Sequence, residues 1–348
     1  MPAKKLVRRG AKGKRGLFAI GWGAGNAAKH VPTEAPRDAD VYKLNRFRDF
    51  PMPDVDWRAL YPFASHELRL DGWRYHYLDE GEGEVLLLVH GNPTWSFYWR
   101  ELIRRWRQRY RVVAVDHIGC GLSDKPQRYP YCLAQHVENL AALVRRLDLN
   151  SITLVAHDWG GAIGVGAALA EPNRFARFTL LNTAAFRSRR IPLRIRICRT
   201  PVLGPLAVQG LNAFARAALW MAVERHERMT PQVRAGLLAP YDSWGHRLAI
   251  QRFVDDIPLG PRHPSYGTLL AIEQGLPSLA GRPWQFIWGM RDWCFTPAFL
   301  QRFLDFFPQA QVHRLAEAGH YVVEDAYEQI GPLVEQFLTQ HPLPVRSR

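Results

Sequence analysis

The chain has 348 residues, a length that suggests two structural units or one large core with an insertion. Hydrophobic residues make up 47% and charged residues 22%, as in ordinary soluble globular proteins, and no apolar run approaches the roughly 18 residues that span a membrane. The four cysteines form neither a C-x-x-C pair nor a zinc-type cluster with histidine. We therefore expect reduced thiols, a cytoplasmic location, no metal and no cofactor.

The net charge of +14 is concentrated near the start of the chain. Residues 1–51 hold 12 basic and 4 acidic side chains, a net +8, and the other 297 residues carry only +6. This composition predicts a disordered basic extension, and it predicts no specific nucleic-acid partner for the folded part. The alternatives for the extension are a weak contact with anionic lipid or nucleic acid, or a start codon misassigned ahead of Met52. Residues 341–348 are expected to form a short C-terminal tail.

From residue 65 onward, apolar runs and turn residues alternate in a regular order. Asp71-Gly72 separates two segments of alternating polarity, which predicts a β-hairpin. Continuous apolar runs further on predict strands buried on both faces, and periodic segments between them predict helices. In chain order, the sequence predicts strands at 67–70, 73–78 and 85–89, a helix at 96–110, a strand at 112–115, a helix at 133–147, a strand at 152–156, a helix at 160–170, and strands at 178–181, 284–288 and 311–315.

Strands that alternate with helices predict an α/β fold with a mostly parallel sheet and helices on both faces. The alternation breaks at about residue 184, and the chain then reads as mostly helical until strands resume. We interpret residues 52–184 and 278–340 as two parts of one core, and residues 185–277 as a helical cap over the active site. Structural padding is the alternative for the cap. Ligands of such sheets bind beyond the carboxyl ends of the strands, so the residues just after each strand are the candidates for chemistry.

The strongest motif is Ala156-His-Asp-Trp-Gly-Gly161, which follows a buried strand and opens a helix. A sharp strand-to-helix turn strains its central residue and needs small neighbours, which Ala156, Gly160 and Gly161 provide. The motif predicts a nucleophile elbow with Asp158 as the nucleophile. The alternative is that Asp158 only caps the following helix, and the flanking glycines argue against it.

The loop His90-Gly-Asn-Pro93 follows another buried strand. In elbow-type enzymes this loop supplies one backbone donor of the oxyanion hole, and the residue after the nucleophile supplies the other. The sequence therefore predicts the amides of Asn92 and Trp159 as the donors. Their side chains could also donate hydrogen bonds to a leaving anion, since the indole N–H is a donor only. Local packing is the alternative for both side chains.

Two further candidates lie after later strands, in the order nucleophile, acid, base. We expect Asp292 to orient His320 and to stabilise its imidazolium form. His320 is expected to activate water or otherwise to transfer protons. His90, His117 and His157 are interpreted as structural residues that support loops.

A carboxylate nucleophile restricts the chemistry. An ionised aspartate needs no deprotonation and can displace a leaving group from saturated carbon. The ester that it forms keeps a carbonyl that water can attack. A haloalkane, an epoxide or a strained lactone therefore suits Asp158 better than an ordinary ester does.

These motifs resemble the haloalkane dehalogenase branch of the α/β-hydrolases over most of residues 54–338. The resemblance implies an α/β-hydrolase fold with a mostly parallel eight-stranded sheet and a helical cap. It also implies that the side chains of Asn92 and Trp159 bind the halide, and that the Asn92–Pro93 peptide bond is cis. Asn182 ends its strand where some relatives place the acid, so we keep that role for Asp292.

Several phrases resemble more specifically the OleB-type β-lactone decarboxylases of bacterial long-chain olefin synthesis. They lie at residues 90–98, 116–126, 181–186, 239–244 and 319–322. The resemblance implies that Asp158 attacks a cis-β-lactone with two long alkyl chains, and that loss of carbon dioxide leaves a cis-alkene. It further implies the β-lactone synthetase and reductase of the same pathway as partners.

Three other functions stay open at the level of sequence. They are a haloalkane dehalogenase, an epoxide hydrolase that would use Tyr241 and Tyr266, and a binding protein without catalysis. A stretch rich in arginine between Arg187 and Arg199 also stands out. We interpret it as a solvated face, with docking of an acidic partner or peripheral contact with a membrane as alternatives.

Overall fold

The computed structural model describes residues 55–344. The predicted basic extension at 1–51 and the last four residues of the predicted tail lie outside the described residues. Among the helices of the described part, none is both long enough and apolar enough to cross a membrane.

One sheet of eight strands forms the centre of the described chain. Its strands are β1 (Ser65–Leu70), β2 (Trp73–Glu80), β3 (Val85–Val89), β4 (Arg111–Val115), β5 (Ile152–Asp158), β6 (Phe175–Thr183), β7 (Trp284–Gly289) and β8 (Gln311–Leu315). Their order across the sheet is β1-β2-β4-β3-β5-β6-β7-β8. β2 runs antiparallel to β1 and β4, and every other pairing is parallel. The mostly parallel eight-stranded sheet predicted from the sequence is confirmed.

Helices connect the strands on both faces of the sheet. They are α1 (Arg100–Trp106), α2 (Leu133–Arg146), α3 (Trp159–Ala170), α4 (Leu193–Ile197), α5 (Leu203–Pro205), α6 (Ala213–Met221), α7 (Pro231–Leu238), α8 (Leu248–Asp255), α9 (Tyr266–Gly275), α10 (Pro297–Phe306) and α11 (Val322–Gln340). The helix predicted at 96–110 instead begins as a 3-10 turn at Ser96–Trp99 and ends at Trp106. The strand predicted at 152–156 continues to Asp158, so the nucleophile candidate is its last residue.

The sheet separates two hydrophobic cores, which explains the apolar runs in the sequence. Side chains alternate across a strand, so in β3 Leu87 and Val89 enter one core and Leu86 and Leu88 enter the other. All five residues of β3 are buried, as expected for a strand that is covered on both faces. Because β3, β5, β7 and β8 run parallel, their carboxyl ends lie at one edge of the sheet, and the loops that follow these strands meet there.

The insertion between β6 and β7 is helical, as the sequence predicts, and comprises α4 to α9. Its last helix, α9, packs on the core, because Leu169 of α3 lies over Gly275, where an added Cβ would come within 2.6 Å. Ile272 of the same helix lies against Gly166 of α3. The last helix of the insertion therefore packs on α3 of the core.

A buried ion pair ties α1 to α11. The guanidinium of Arg100 donates two hydrogen bonds to the carboxylate of Glu324, at 2.6 and 2.7 Å, and both side chains are almost fully buried. The pair fixes the start of α11, directly after the loop that carries His320. Breaking such a pair from one side is costly, because it leaves the other charge buried.

Glu324→Ala is expected to lower the free energy of unfolding by about 3–5 kcal/mol, because Arg100 then stays buried with only the carboxylate of Glu101, 3.6 Å away. Urea denaturation followed by circular dichroism measures the change. Glu328→Ala is the matched control on the same helix, since it removes the partly exposed ion pair with Arg228. The control should cost at most about 1 kcal/mol. Equal losses in the two variants would contradict this account of α11.

Candidate active site

Asp158 lies at the sharp turn between β5 and α3. Its φ of 52° is in the left-handed region, which a non-glycine residue adopts only at a cost. A Cβ on Gly160 would come within 2.1 Å of the carbonyl oxygen of Val89, and one on Gly161 within 2.0 Å of the Thr183 hydroxyl. The glycines of the motif are thus required by close contacts. The Asp158 side chain makes no capping hydrogen bond to α3, which excludes the capping alternative.

The loop after β3 holds the Asp158 carboxylate from the other side. The backbone N–H of Asn92 donates to Oδ1 of Asp158 at 2.7 Å. The peptide bond between Asn92 and Pro93 is cis, as the resemblance implied. Gly91 lies so close that an added Cβ would come within 2.0 Å of Oδ1 of Asp158. The two amides expected in an oxyanion hole, those of Asn92 and Trp159, both favour the ionised form of this carboxylate.

His320 stands between two carboxylates. Its Nδ1 is 2.9 Å from Oδ2 of Asp292, and its Nε2 is 3.8 Å from Oδ2 of Asp158. The first distance is a hydrogen bond, whereas the second is too long for one. The structure therefore brings together the three side chains that the sequence analysis selected, and it leaves the Nε2 of His320 without a hydrogen bond to Asp158.

Asn182 contributes to this site, although the sequence analysis gave it no role there. Its amide donates to Oδ2 of Asp292 at 2.9 Å, and its Oδ1 accepts the N–H of Gly289 at 2.7 Å. The backbone N–H groups of Cys294 and Phe295 donate to the other oxygen of Asp292. Asp292 is thus fixed in one orientation toward His320. The only sequence signal for Asn182 was its place at the end of β6.

Two further residues stabilise the loops of the site, and the sequence analysis did not identify them. The hydroxyl of Thr183 donates to the backbone carbonyl of Asp158 and so holds the elbow. The carboxylate of Asp325 accepts the N–H of Gly319 at 2.7 Å, which fixes the loop before His320. The imidazole of His157 lies 2.8 Å from the carbonyl of His320, in agreement with its interpretation as a structural residue. Such contacts join distant parts of the chain, and no local pattern indicates them.

Burial and charge act in opposite directions on the two titratable groups that face each other. Burial raises the pKa of Asp158, and this outweighs the lowering by His320 and by the amides of Asn92 and Trp159. Burial lowers the pKa of His320, but the negative charges of Asp292 and then Asp158 raise it more, so the net change is upward. The site consequently favours an imidazolium that is paired with Asp292 and faces Asp158.

A cavity of about 440 Å³ opens above the carboxylate of Asp158. Its floor contains Asn92, Asp158, Trp159 and His320, and its walls are almost entirely apolar. The walls consist of side chains from the insertion and from the loop after β7, among them Phe186, Ile191, Ile195, Ile197, Ala207, Phe214, Ala217, Ala218, Met221, Val254, Leu269, Phe295 and Phe299. The arrangement accepts a large apolar molecule whose polar part reaches the floor.

Asn92 and Trp159 both line this cavity, together with Asp158. The Asn92 amide donates to the carbonyl of Ile250 at 3.2 Å, which leaves its second N–H hydrogen for another acceptor. The Trp159 indole packs against Phe253, with ring centroids 5.4 Å apart.

Tyr241 and Tyr266, the candidates for an epoxide hydrolase, do not line the cavity. Tyr241 is buried, and its hydroxyl lies 3.4 Å from the carbonyl of Thr94. The hydroxyl of Tyr266 accepts a hydrogen bond from Arg187 at 2.9 Å. Within residues 55–344, no cluster of histidine, cysteine, aspartate or glutamate side chains is arranged to hold a metal ion.

Comparison with known proteins agrees with this geometry. A family profile described as alpha/beta hydrolase fold matches residues 84–196. A cis-3-alkyl-4-alkyloxetan-2-one decarboxylase from Shewanella oneidensis is 41% identical over 288 residues, which cover 81% of this chain and 90% of that protein. An enzyme of the same name from Xanthomonas campestris is 42% identical over 291 residues, covering 79% of this chain and 96% of that protein. The chain belongs to the α/β-hydrolase fold family.

Solved structures of the family place the chain beside the haloalkane dehalogenases. The dehalogenase DbeA from Bradyrhizobium elkani superposes with a TM-score of 0.72 at 26% identity, over 80% of this chain and 98% of that one. The sequence-based resemblance to dehalogenase-like α/β-hydrolases, and to their decarboxylase relatives in particular, is confirmed.

The pKa of the His320 imidazole is expected above that of an ordinary histidine, because two carboxylates stabilise its charged form. Asp292→Asn removes the charge that raises this pKa more and should lower the pKa, and Asp158→Asn should lower it less. Proton-detected nuclear magnetic resonance of the imidazole signals against pH measures the effect, with His320→Gln to assign the signal. A His320 pKa unchanged in Asp292→Asn would refute the pairing.

Proposed function

We propose that the protein is a β-lactone decarboxylase, which converts a cis-3-alkyl-4-alkyloxetan-2-one with long alkyl chains into a cis-alkene and carbon dioxide. The observation that carries the proposal is the buried carboxylate of Asp158 on the floor of an apolar cavity, opposite His320. The two relatives at 41% and 42% identity, whose names describe this activity, support it.

Asp158 is the nucleophile of the proposed reaction. Its Oδ1 is held by the amide of Asn92, so Oδ2, the oxygen nearer His320, is the one that attacks. It attacks the saturated ring carbon that carries the ring oxygen. The bond from that carbon to the ring oxygen breaks, its electron pair stays on the oxygen, and the lactone carbonyl becomes a free carboxylate. Release of ring strain favours this step, and an ester now joins the substrate to the enzyme.

Loss of carbon dioxide completes the reaction. The electron pair of the carbon–carbon bond to the carboxylate forms the alkene, and the ester bond to Asp158 breaks and restores its carboxylate. Atoms balance without water, an oxidant or a net proton. Attack inverts the ring carbon, and departure of the two groups from opposite faces compensates for that inversion. A cis-lactone therefore yields a cis-alkene.

His320 and Asp292 serve this reaction by holding charge. The raised pKa of His320 favours the imidazolium, and its Nε2 makes no hydrogen bond to Asp158. We assign its N–H to the ring oxygen of the substrate, where negative charge develops as the ring opens. Asp292 orients the imidazole and stabilises its charge. The side chains of Asn92 and Trp159 donate to the departing carboxylate.

The remaining expectations form part of the same proposal. Residues 185–277 act as the cap that selects the substrate, with α9 anchoring its end to the core. The protein acts in the cytoplasm, alongside a β-lactone synthetase and a reductase that supply its substrate. Residues 52–184 and 278–340 form the catalytic core, and residues 1–51 and 341–348 contribute nothing to catalysis.

A haloalkane dehalogenase is the second candidate. The donors of Asn92 and Trp159 beside the nucleophile and the structural likeness to DbeA favour it. In that reaction water must attack the alkyl-enzyme ester, with His320 as the base. The two decarboxylase relatives are 41% and 42% identical to this chain, whereas DbeA is 26% identical. We therefore rank the decarboxylase first.

Incubation with a dialkyl cis-β-lactone near neutral pH, without heating, is expected to give a cis-alkene, measured by gas chromatography with mass spectrometry. Asp158→Asn should abolish the product, because an amide is not a comparable nucleophile. Asp256→Asn is the matched control, since Asp256 is a buried aspartate outside the cavity lining, and it should keep most activity. Alkene formation by Asp158→Asn at more than a few per cent of the wild-type rate would contradict the assignment.

The other products distinguish the alternatives. A β-hydroxy acid would mean that the elbow hydrolyses the ring. Unchanged lactone together with halide release from a long bromoalkane would make the protein a dehalogenase.

A further inference from the structure

Most of the exposed large hydrophobic side chains lie in one segment of the insertion, which also contributes to the lining of the cavity. Of the eleven large hydrophobic side chains that are exposed in the described part of the chain, eight lie between residues 193 and 221. They are Leu193, Ile197, Val202, Leu203, Leu206, Leu211, Trp220 and Met221. We call residues 187–221 the docking face. Clustered exposure of this kind marks an interaction surface, whereas scattered exposed hydrophobics need no explanation.

The docking face is also uniformly positive. Residues 184–223 contain seven arginines and no acidic residue, so they carry +7. Residues 52–348 as a whole carry +6, so everything outside this segment sums to −1. Arg189 and Arg196 are exposed and form no ion pair with any of the described residues, and Arg194 lies over the ring of Trp293. Arg189 and Arg196 are thus available to an external anion, whereas Arg187 is paired with Glu273.

The docking face forms the entrance of the cavity. Five of the residues that line the cavity are exposed to solvent, and all five belong to this segment. They are Arg190, Arg194, Ile197, Ala217 and Met221. Within α4, Ile195 is buried while Leu193 and Ile197 face outward. The same short helix therefore forms the cavity wall and part of the apolar surface.

We propose that the docking face binds the surface of an anionic lipid bilayer, so that the cavity opens into the acyl region and takes its substrate from the membrane. Exposed apolar side chains among arginines are the composition of a segment that lies in the interface, with its hydrophobic groups in the acyl boundary and its cations at the headgroups. A segment whose own charged residues are all arginines fits anionic headgroups better than it fits the mixed charges of a protein surface. The delivery of substrate rests on the proposed function, whereas the binding of lipid does not.

Flotation of the full-length protein with vesicles tests the proposal. Vesicles of phosphatidylcholine with a third of phosphatidylglycerol should bind the wild type, and vesicles of phosphatidylcholine alone should bind it at least tenfold more weakly. Arg189→Glu/Arg196→Glu should weaken binding to the anionic vesicles at least tenfold. Leu203→Ser/Leu206→Ser, at positions that are 69% and 51% exposed, should weaken it severalfold without affecting folding. None of these four residues lines the cavity.

The basic extension at residues 1–51 is present in every variant, so a matched control isolates the docking face. Arg109→Glu/Arg314→Glu makes the same charge change at two exposed arginines outside it, and should bind vesicles within twofold of the wild type. Equal weakening by both arginine pairs, or no binding by the wild type, overturns the proposal. If the protein does not bind vesicles but co-elutes with another protein through this face, the membrane proposal is overturned in favour of a protein partner.

Turnover separates this proposal from the proposed function. A short-chain β-lactone that dissolves in water should be decarboxylated equally by the wild type and by Arg189→Glu/Arg196→Glu. A long-chain lactone presented in anionic vesicles should be decarboxylated at least tenfold more slowly by the variant. If the wild type and the variant have equal rates on the vesicle substrate, delivery from the membrane is refuted, whereas the proposed reaction is not affected. Absence of alkene from both proteins with both substrates refutes the proposed function, and vesicle binding still decides the docking face.

Discussion

The close approach of three backbone segments around one buried carboxylate is the constraint on which the rest of the structure depends. Asp158 is strained at the end of β5, Gly91 leaves no room for a Cβ beside it, and Gly160 permits α3 to start against the carbonyl of Val89. In return, the amides of Asn92 and Trp159 point at the carboxylate and favour its charge in a buried place. The sheet supplies this arrangement, because β3 and β5 are parallel neighbours and their carboxyl ends deliver both loops to one point.

Two carboxylates and one imidazole set the electrostatics of the candidate site. His320 is hydrogen-bonded to Asp292. The carboxylate of Asp292 accepts further hydrogen bonds from Asn182 and from two backbone amides. The imidazole of His320 faces the carboxylate of Asp158 at 3.8 Å without a hydrogen bond, and the cavity above is lined mostly by apolar side chains. A mostly apolar site beside a charged imidazole suits the proposed attack, which moves negative charge from Asp158 to the substrate. The proposed decarboxylation needs no base and no water.

Local sequence patterns predicted the sheet and indicated three site candidates that the structure brings together, because each pattern depends on neighbours in the chain. Asp71-Gly72 adopts the positive φ values of a hairpin, and the apolar runs of β3 and β5 are buried on both faces. The supporting residues escaped prediction for the opposite reason. Asn182 meets Gly289, Thr183 meets the elbow and Asp325 meets Gly319 only once the loops converge. The sequence likewise did not predict that α9 packs on the core, since the apolar face of a helix has the same pattern whether it packs on a cap or on α3.

The central claim is that Asp158 forms and releases its ester without water. Turnover in water labelled with a heavy oxygen isotope tests this claim directly. The enzyme is turned over many times on a cis-β-lactone in isotopically enriched water, and the peptide that contains Asp158 is then weighed by mass spectrometry. The account predicts that alkene accumulates while the Asp158 carboxylate keeps its original oxygens. Incorporation of heavy oxygen into that carboxylate would show that water attacks the ester, and would contradict the account.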